Sequence, residues 1–289
     1  MSNNHMQAPP AARLFTPDSV FWRVHREILA GLSGGRALAL ELAHPLIAAG
    51  VAEHSHFQTN PWRRLYRTVK VMNDLTFGGA AAARTALQHF HQCHARVRGV
   101  LPRTEGAFPA ATKYSSQNPG LRFWVLATLI DSSLVAYEHF VAPLTLAEKR
   151  AYYLDSQRLA QAFGIPFSFV PDTYEEFSSY MQNMFVGEAL HVGETAQALV
   201  QALLARRGLH GIARMMQFCG AAMLPEKLRE AYDIAWDEKR ERKFERIAHY
   251  CRYARARLPE VFCVNPQAWL AEWRFRQTEY DPPKVLQPS

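Results

Sequence analysis

His94 shares one stripe with Leu87, Phe90, Val97 and Leu101, spaced by threes and fours along a helix expected over residues 80–101. That repeat is the buried face of an α-helix. An imidazole aimed into a core must hydrogen-bond or bind a metal, because leaving it unpaired costs ~1–3 kcal/mol. His94 therefore reads in two ways, as a metal ligand or as a core histidine satisfied by a neighbour. His89 and His91 either flank that position or face solvent. Arg96 and Arg98 follow within a turn, where guanidinium groups either meet the carboxylates of an anionic cofactor or stay solvated.

A second cluster runs from Glu41 to Thr68. His44 precedes Pro45, which ends or kinks an alanine- and leucine-rich helix over residues 36–52, and Glu53-His54-Ser55-His56 follows. A broken helix of this kind can line a cavity. After Asn60-Pro61 the next helix presents Arg64, Arg67 and Thr68. At these steps the trio either serves an anionic or oxygen ligand or forms the solvent face of an amphipathic helix.

A rival metal reading rests on Glu-x-x-His, which occurs at Glu41/His44, Glu53/His56 and Glu188/His191. Di-iron bundles use two such pairs and need further inward glutamates, for which Glu138 is a donor candidate. With eighteen Glu and twelve His in the chain, the three pairs are only a mild excess over chance. Thr128, Asp131 and Ser132 lie mid-way along an otherwise apolar helix. Asp131 either hydrogen-bonds an imidazole or arginine of the pocket or pins the helix.

The elements that must carry these residues announce themselves through caps. Thr16-Pro17-Asp18, Asn118-Pro119 and the capping boxes Thr145-x-x-Glu148 and Thr173-x-x-Glu176 are helix starts. The apolar period between them predicts helices near 17–33, 36–52, 61–76, 80–101, 119–141, 146–163, 172–186, 195–206, 208–220, 225–233, 237–258 and 266–276. No segment reads as a strand, since no hairpin turn separates two alternating runs. The fold class expected is all-α: a single globular helical domain over residues 16–278, with roughly ten to twelve helices around a buried cofactor pocket. Residues 1–15 and 279–289 read as flexible tails. Residues 102–117 form the longest connection without periodicity, either a loop over a pocket or a surface crossover.

The composition, 48% hydrophobic and 20% charged, is that of a globular protein with a large core. No apolar run reaches the ~18–20 residues of a membrane helix, and no secretion signal is recognised, so no integral membrane segment and a cytoplasmic location are expected. Four widely spaced cysteines form no Cys-x-x-Cys pair and read as buried or free thiols. The net charge of +7 suits an anionic ligand or surface, but nothing supports nucleic-acid binding. A homo-oligomer is compatible with the composition.

The stretches Gly34-Gly35-Arg36-Ala37-Leu38 and Ala43-His44-Pro45-Leu46-Ile47-Ala48-Ala49-Gly50-Val51 are followed by Asn60-Pro61-x-x-Arg64-x-x-Arg67-Thr68. Then come His94-Ala95-Arg96-Val97-Arg98-Gly99 and Ala127-Thr128-Leu129-Ile130-Asp131-Ser132. Their order and spacing resemble the MpaB-type and rubber-oxygenase catalytic domain over roughly residues 20–200, thinning beyond Pro166. The resemblance implies an all-α fold and a b-type haem held by His94 as proximal iron ligand. It places Arg64 and Thr68 in the haem pocket, near dioxygen or a propionate, and Arg67 where rubber oxygenases carry lysine. Arginine and lysine are not interchangeable at a ligand pocket. The expected substrate is therefore a small or membrane-derived apolar molecule with an oxidisable alkene, consumed with dioxygen or peroxide, rather than a polymer. Arg64, Arg67 and Thr68 are the catalytic candidates, and His94, Arg98, His44, Thr128 and Asp131 the cofactor-binding ones. Two other classes stay open: a di-iron carboxylate oxidase built on the Glu-x-x-His pairs, and a haem carrier or sensor with His94 and His44 as paired ligands.

Overall fold

The computed structural model describes residues 13–55, 61–204 and 211–280; the side chains at 61–65, 202–204, 212–213 and 278–280 lie outside the description. Among the described residues there are fourteen α-helices, two short 3-10 turns and one small two-stranded ribbon. The fold is all-α, as the periodicity implies.

In chain order the first helices are α1 (Val20–His25), α2 (Gly34–Leu42), α3 (Pro45–His54), α4 (Pro61–Phe77) and α5 (Gly79–His94). The helix expected over 17–33 divides into α1 and a 3-10 segment, Ile28–Ser33, with Glu27 extended between them. The helix expected over 36–52 breaks where Pro45 withdraws an N–H, leaving His44 extended. His44 Nδ1 then accepts from Leu46 N at 3.3 Å and caps α3. Gly79, with φ 73°, turns α4 back into α5.

Strands β1 (Arg98–Val100) and β2 (Lys113–Ser115) pair antiparallel, Gly99 opposite Tyr114. This corrects two expectations: α5 stops at His94, and a strand pair follows it. Three-residue strands are too short for alternation to register in sequence. Leu101 consequently leaves the α5 stripe and packs with Leu46 and Tyr114.

The remaining helices are α6 (Pro119–Phe140), α7 (Leu146–Ala162), α8 (Tyr174–Val186), α9 (Glu194–Leu204), α10 (Gly211–Ala222), α11 (Glu226–Ala231), α12 (Glu238–Arg255), α13 (Glu260–Cys263) and α14 (Pro266–Tyr280). Both expected capping boxes form, at Thr145/Glu148 and Thr173/Glu176. Helix α6 is the axis of the domain. It is apolar on every side, burying Phe123, Trp124, Ile130, Leu134 and Phe140 against α1, α2, α7, α12 and the 3-10 segment. Contrary to the sequence expectation, it is long and apolar enough to cross a membrane, but most of it is buried inside the domain.

Polar groups that enter the core are paired. Arg36, 4% exposed, meets Asp131 at 2.6 Å, Ser132 Oγ at 2.9 Å and the Met223 carbonyl at 2.8 Å, tying α2 to α6 and to the end of α10. Phe15, at the end of the expected tail, stacks on Phe21 at 4.1 Å and is fully buried in the core. The rest of that tail, residues 1–12, and residues 281–289 of the other lie outside the described residues; α14 runs to Tyr280.

Candidate active site

Helices α3, α4, α5 and α6 enclose, with β2, a cavity of about 350 Å³, within the ~300–1,000 Å³ typical of cofactor and small-molecule sites. Its wall is mostly apolar: Leu46, Ile47 and Val51 from α3, Val71 and Met72 from α4, Phe90 from α5, and Leu126 and Leu129 from α6. Against that background a few polar groups stand out, among them Arg67, Thr68, His94, Tyr114 and Arg122.

His94 is the last residue of α5, half-buried on the cavity wall. Its Nδ1 lies 2.8 Å from the carbonyl oxygen of Phe90, one turn earlier. A carbonyl can only accept, so Nδ1 carries the proton, and in the neutral ring the lone pair is on Nε2. The ring also leans on Phe90, centroid to centroid 4.2 Å, and Phe90 rests on Phe163 at 4.5 Å. Ser116 Oγ donates to the His94 carbonyl at 2.5 Å, closing the end of α5. The orientation of the imidazole is therefore set by helix, ring stack and loop together.

Arg67 and Thr68 come to the same cavity from α4. Arg64 belongs to that helix, but its side chain lies outside the described residues. Arg122 reaches the wall from the first turn of α6. Its guanidinium donates to the Ser116 carbonyl at 2.6 Å, the Phe163 carbonyl at 3.2 Å and Gln117 Oε1 at 2.5 Å, and burial pushes its pKa down. Tyr114 Oη donates to Glu53, and burial together with that carboxylate pushes the phenol up. His89 Nε2 sits 3.4 Å from Cys93 Sγ, also on the wall.

Several expected cofactor contacts are elsewhere. His44 is buried with its ring against Phe108, 5.2 Å between centroids, and burial lowers its pKa to about 4. Thr128 donates to the Val125 carbonyl at 2.7 Å inside α6, and Asp131 is committed to Arg36. Arg98 lies exposed on β1, where its carbonyl, not its guanidinium, meets a ring nitrogen of His54 at 3.1 Å. None of these four lines the cavity. The end of α5 at His94 takes Arg98 out of the helical phase, and the extended backbone at His44 turns that ring aside. Thr128 and Asp131, by contrast, sit in the unbroken α6 and bond within it and to Arg36.

Tyr114, Arg122 and Glu41 are cavity residues that the sequence reading did not assign to the pocket. Arg122 leaves a trace in sequence, because an arginine in the first turn opposes the helix dipole and calls for a local partner. Tyr114 leaves none beyond its place in the aperiodic 102–117 stretch, whose β2 end does border the cavity.

Among the described residues the Glu-x-x-His pairs do not converge. Glu41 lines the cavity but His44 does not, Glu53 is bound by Tyr114, and Glu138 pairs with Lys149 at 2.8 Å. His56 lies outside the described residues. Among the described residues no three His, Cys, Asp or Glu side chains come together to hold a metal ion.

A family model described as ER-bound oxygenase mpaB/B'/Rubber oxygenase, catalytic domain, matches residues 22–255, from α1 through α12. The chain belongs to this mpaB/rubber-oxygenase family. No curated protein and no solved structure matches it. Membership places this mpaB-type domain among oxygenases. All four helices of the cavity fall within the matched residues, whereas α13 and α14 lie beyond them.

Proposed function

We propose that the cavity binds a b-type haem through His94 and that the protein is a haem-dependent oxygenase of a small apolar, alkene-bearing substrate. The observation that carries this reading is the hydrogen bond from His94 Nδ1 to the Phe90 carbonyl on the cavity wall. It selects the tautomer with its lone pair on Nε2, and such an outer hydrogen bond orients metal-bound histidines generally. A single-histidine site is also compatible with the absence of a three-residue ligand cluster among the described residues, whereas a di-iron carboxylate site requires one. His44, turned onto Phe108, gives no support to a two-histidine carrier.

When bound, the haem supplies iron redox chemistry and the activation of dioxygen or peroxide. The protein supplies the surroundings. Leu46, Ile47, Val51, Val71 and Met72 exclude water and take up an apolar substrate. Thr68 offers a hydroxyl donor and Arg67 a cation where negative charge develops on oxygen. Arg64 is assigned to the same task by its spacing from them. Arg122 places a second positive charge at the wall, suited to a carboxylate of the cofactor.

The test is the visible spectrum of protein expressed with haem precursor, beside His94→Ala. The expected result is a Soret band in the wild type that the variant lacks. Wild-type protein that takes up no haem and carries iron in another form overturns the reading.

A further inference from the structure

Of the eighteen large apolar side chains that stand exposed among the described residues, eight fall between residues 250 and 273. Such concentration marks an interaction surface, because single exposed apolar residues are ordinarily scattered. The pattern is specific. On the solvent side of α12, Arg246, His249, Tyr250 and Tyr253 are exposed one turn apart, and just past its end the Arg257 guanidinium lies 3.5 Å above the Tyr253 ring. On α14 the same spacing aligns Trp269, Trp273 and Arg276, all exposed. Between the two helices α13 holds out Val261 and Phe262, the latter 69% exposed.

These pieces are held together at one place. Arg26 binds Glu260 of α13 at 3.1 Å and Glu272 of α14 at 2.9 Å, while Glu27 takes Arg255 of α12 at 2.6 Å. The same contacts settle the charge. Residues 246–276 contain six arginines against two glutamates and no lysine or aspartate; both glutamates share Arg26, and Arg255 is taken up by Glu27, which leaves the other arginines in excess. What faces outward is aromatic and cationic.

We propose that this surface, formed by α13, α14 and the end of α12, docks the protein on an anionic lipid bilayer. Tryptophan and tyrosine favour the headgroup level, where an apolar ring and a polar edge are both satisfied. Flanking arginines reach anionic headgroups while their stems lie along the apolar layer. A second copy of the chain is disfavoured by the same arginines, because a self-complementary interface would set like charges against each other. The surface is distinct from the cavity, and α13 and α14 lie outside the family-matched residues. The two are linked through one element, because α14 packs on α4, the helix that also carries Arg67 and Thr68.

The experiment is flotation of the full chain with vesicles of phosphatidylcholine, with and without phosphatidylserine, at low and high salt. The wild type is expected to float with the phosphatidylserine vesicles and to be released by salt. Trp269→Ser combined with Trp273→Ser, and separately Arg257→Glu combined with Arg276→Glu, are expected to lower partitioning about tenfold or more. Circular dichroism of each variant confirms that it is folded. Wild-type protein that stays unbound overturns the proposal, as does binding that folded variants retain in full. Light scattering that shows a dimer dissolved by these substitutions, with no flotation, assigns the surface to a second copy and equally overturns it.

Discussion

Nδ1 of His94 lies 2.8 Å from the carbonyl oxygen of Phe90, one turn earlier on α5. The bond gives a carbonyl already in the helical ladder a second donor, and together with the Phe90 ring it fixes the imidazole. Replacing the side chain while leaving that carbonyl in place tests whether the ring itself is the ligand. His94→Gly is expected to lose the haem spectrum and to regain it on addition of free imidazole. Because His94 is only half-buried, the fold is expected to survive, and thermal melts check that. Recovery without imidazole would move the ligand elsewhere.

Gly99 stands where a side chain has no room. A Cβ there would meet Tyr114 Oη at 2.5 Å and Glu53 Oε2 at 2.8 Å. Gly99→Ala is expected to displace Tyr114 and so to weaken haem uptake, read by titration. The effect on global stability should be about 1–3 kcal/mol, the usual range for overpacking. Unchanged haem affinity would show that Tyr114 does not shape the bound pocket.

The Arg36–Asp131 pair lies far from the cavity wall in role, tying α2 to α6. Arg36→Met removes the ion pair and two further hydrogen bonds at once. The expected loss is about 3–5 kcal/mol, measured by denaturant unfolding. Asp131→Leu added to Arg36→Met should recover much of it, because the stranded carboxylate is then gone. If the single variant is as stable as the wild type, the pair is not a structural tie.

Two imidazoles make stability depend on acidity. Burial lowers both His25, bonded to Tyr152 Oη at 3.0 Å, and His44 to about 4 from an ordinary 6.5. Between those values the unfolded chain binds more protons than the folded one. Stability therefore rises with pH across that window and is lost as pH falls from about 6.5 towards 4. His44→Asn keeps a capping group for α3 but cannot titrate. It is expected to flatten the slope of unfolding free energy between pH 6.5 and 4, and an unchanged slope would exclude His44 as a contributor.

The sequence by itself determined the helical class, most helix starts and the family. Those depend on information local in the chain: a 3.6-residue apolar period, a capping serine, threonine or asparagine, a proline at a first turn, motifs in order. Helix phase placed His94, Arg67 and Thr68 on definite faces but left each open between a site and a core or solvent role; the resemblance of the motifs chose between them. Only the tertiary structure decided which faces meet. It ended α5 at His94, inserted the β1–β2 ribbon, and turned His44, Arg98, Thr128 and Asp131 away while bringing in Tyr114 and Arg122. A helix break of one residue shifts the phase of everything after it by about 100°. A salt bridge such as Arg36–Asp131 joins residues 95 positions apart, and no local period carries either piece of information.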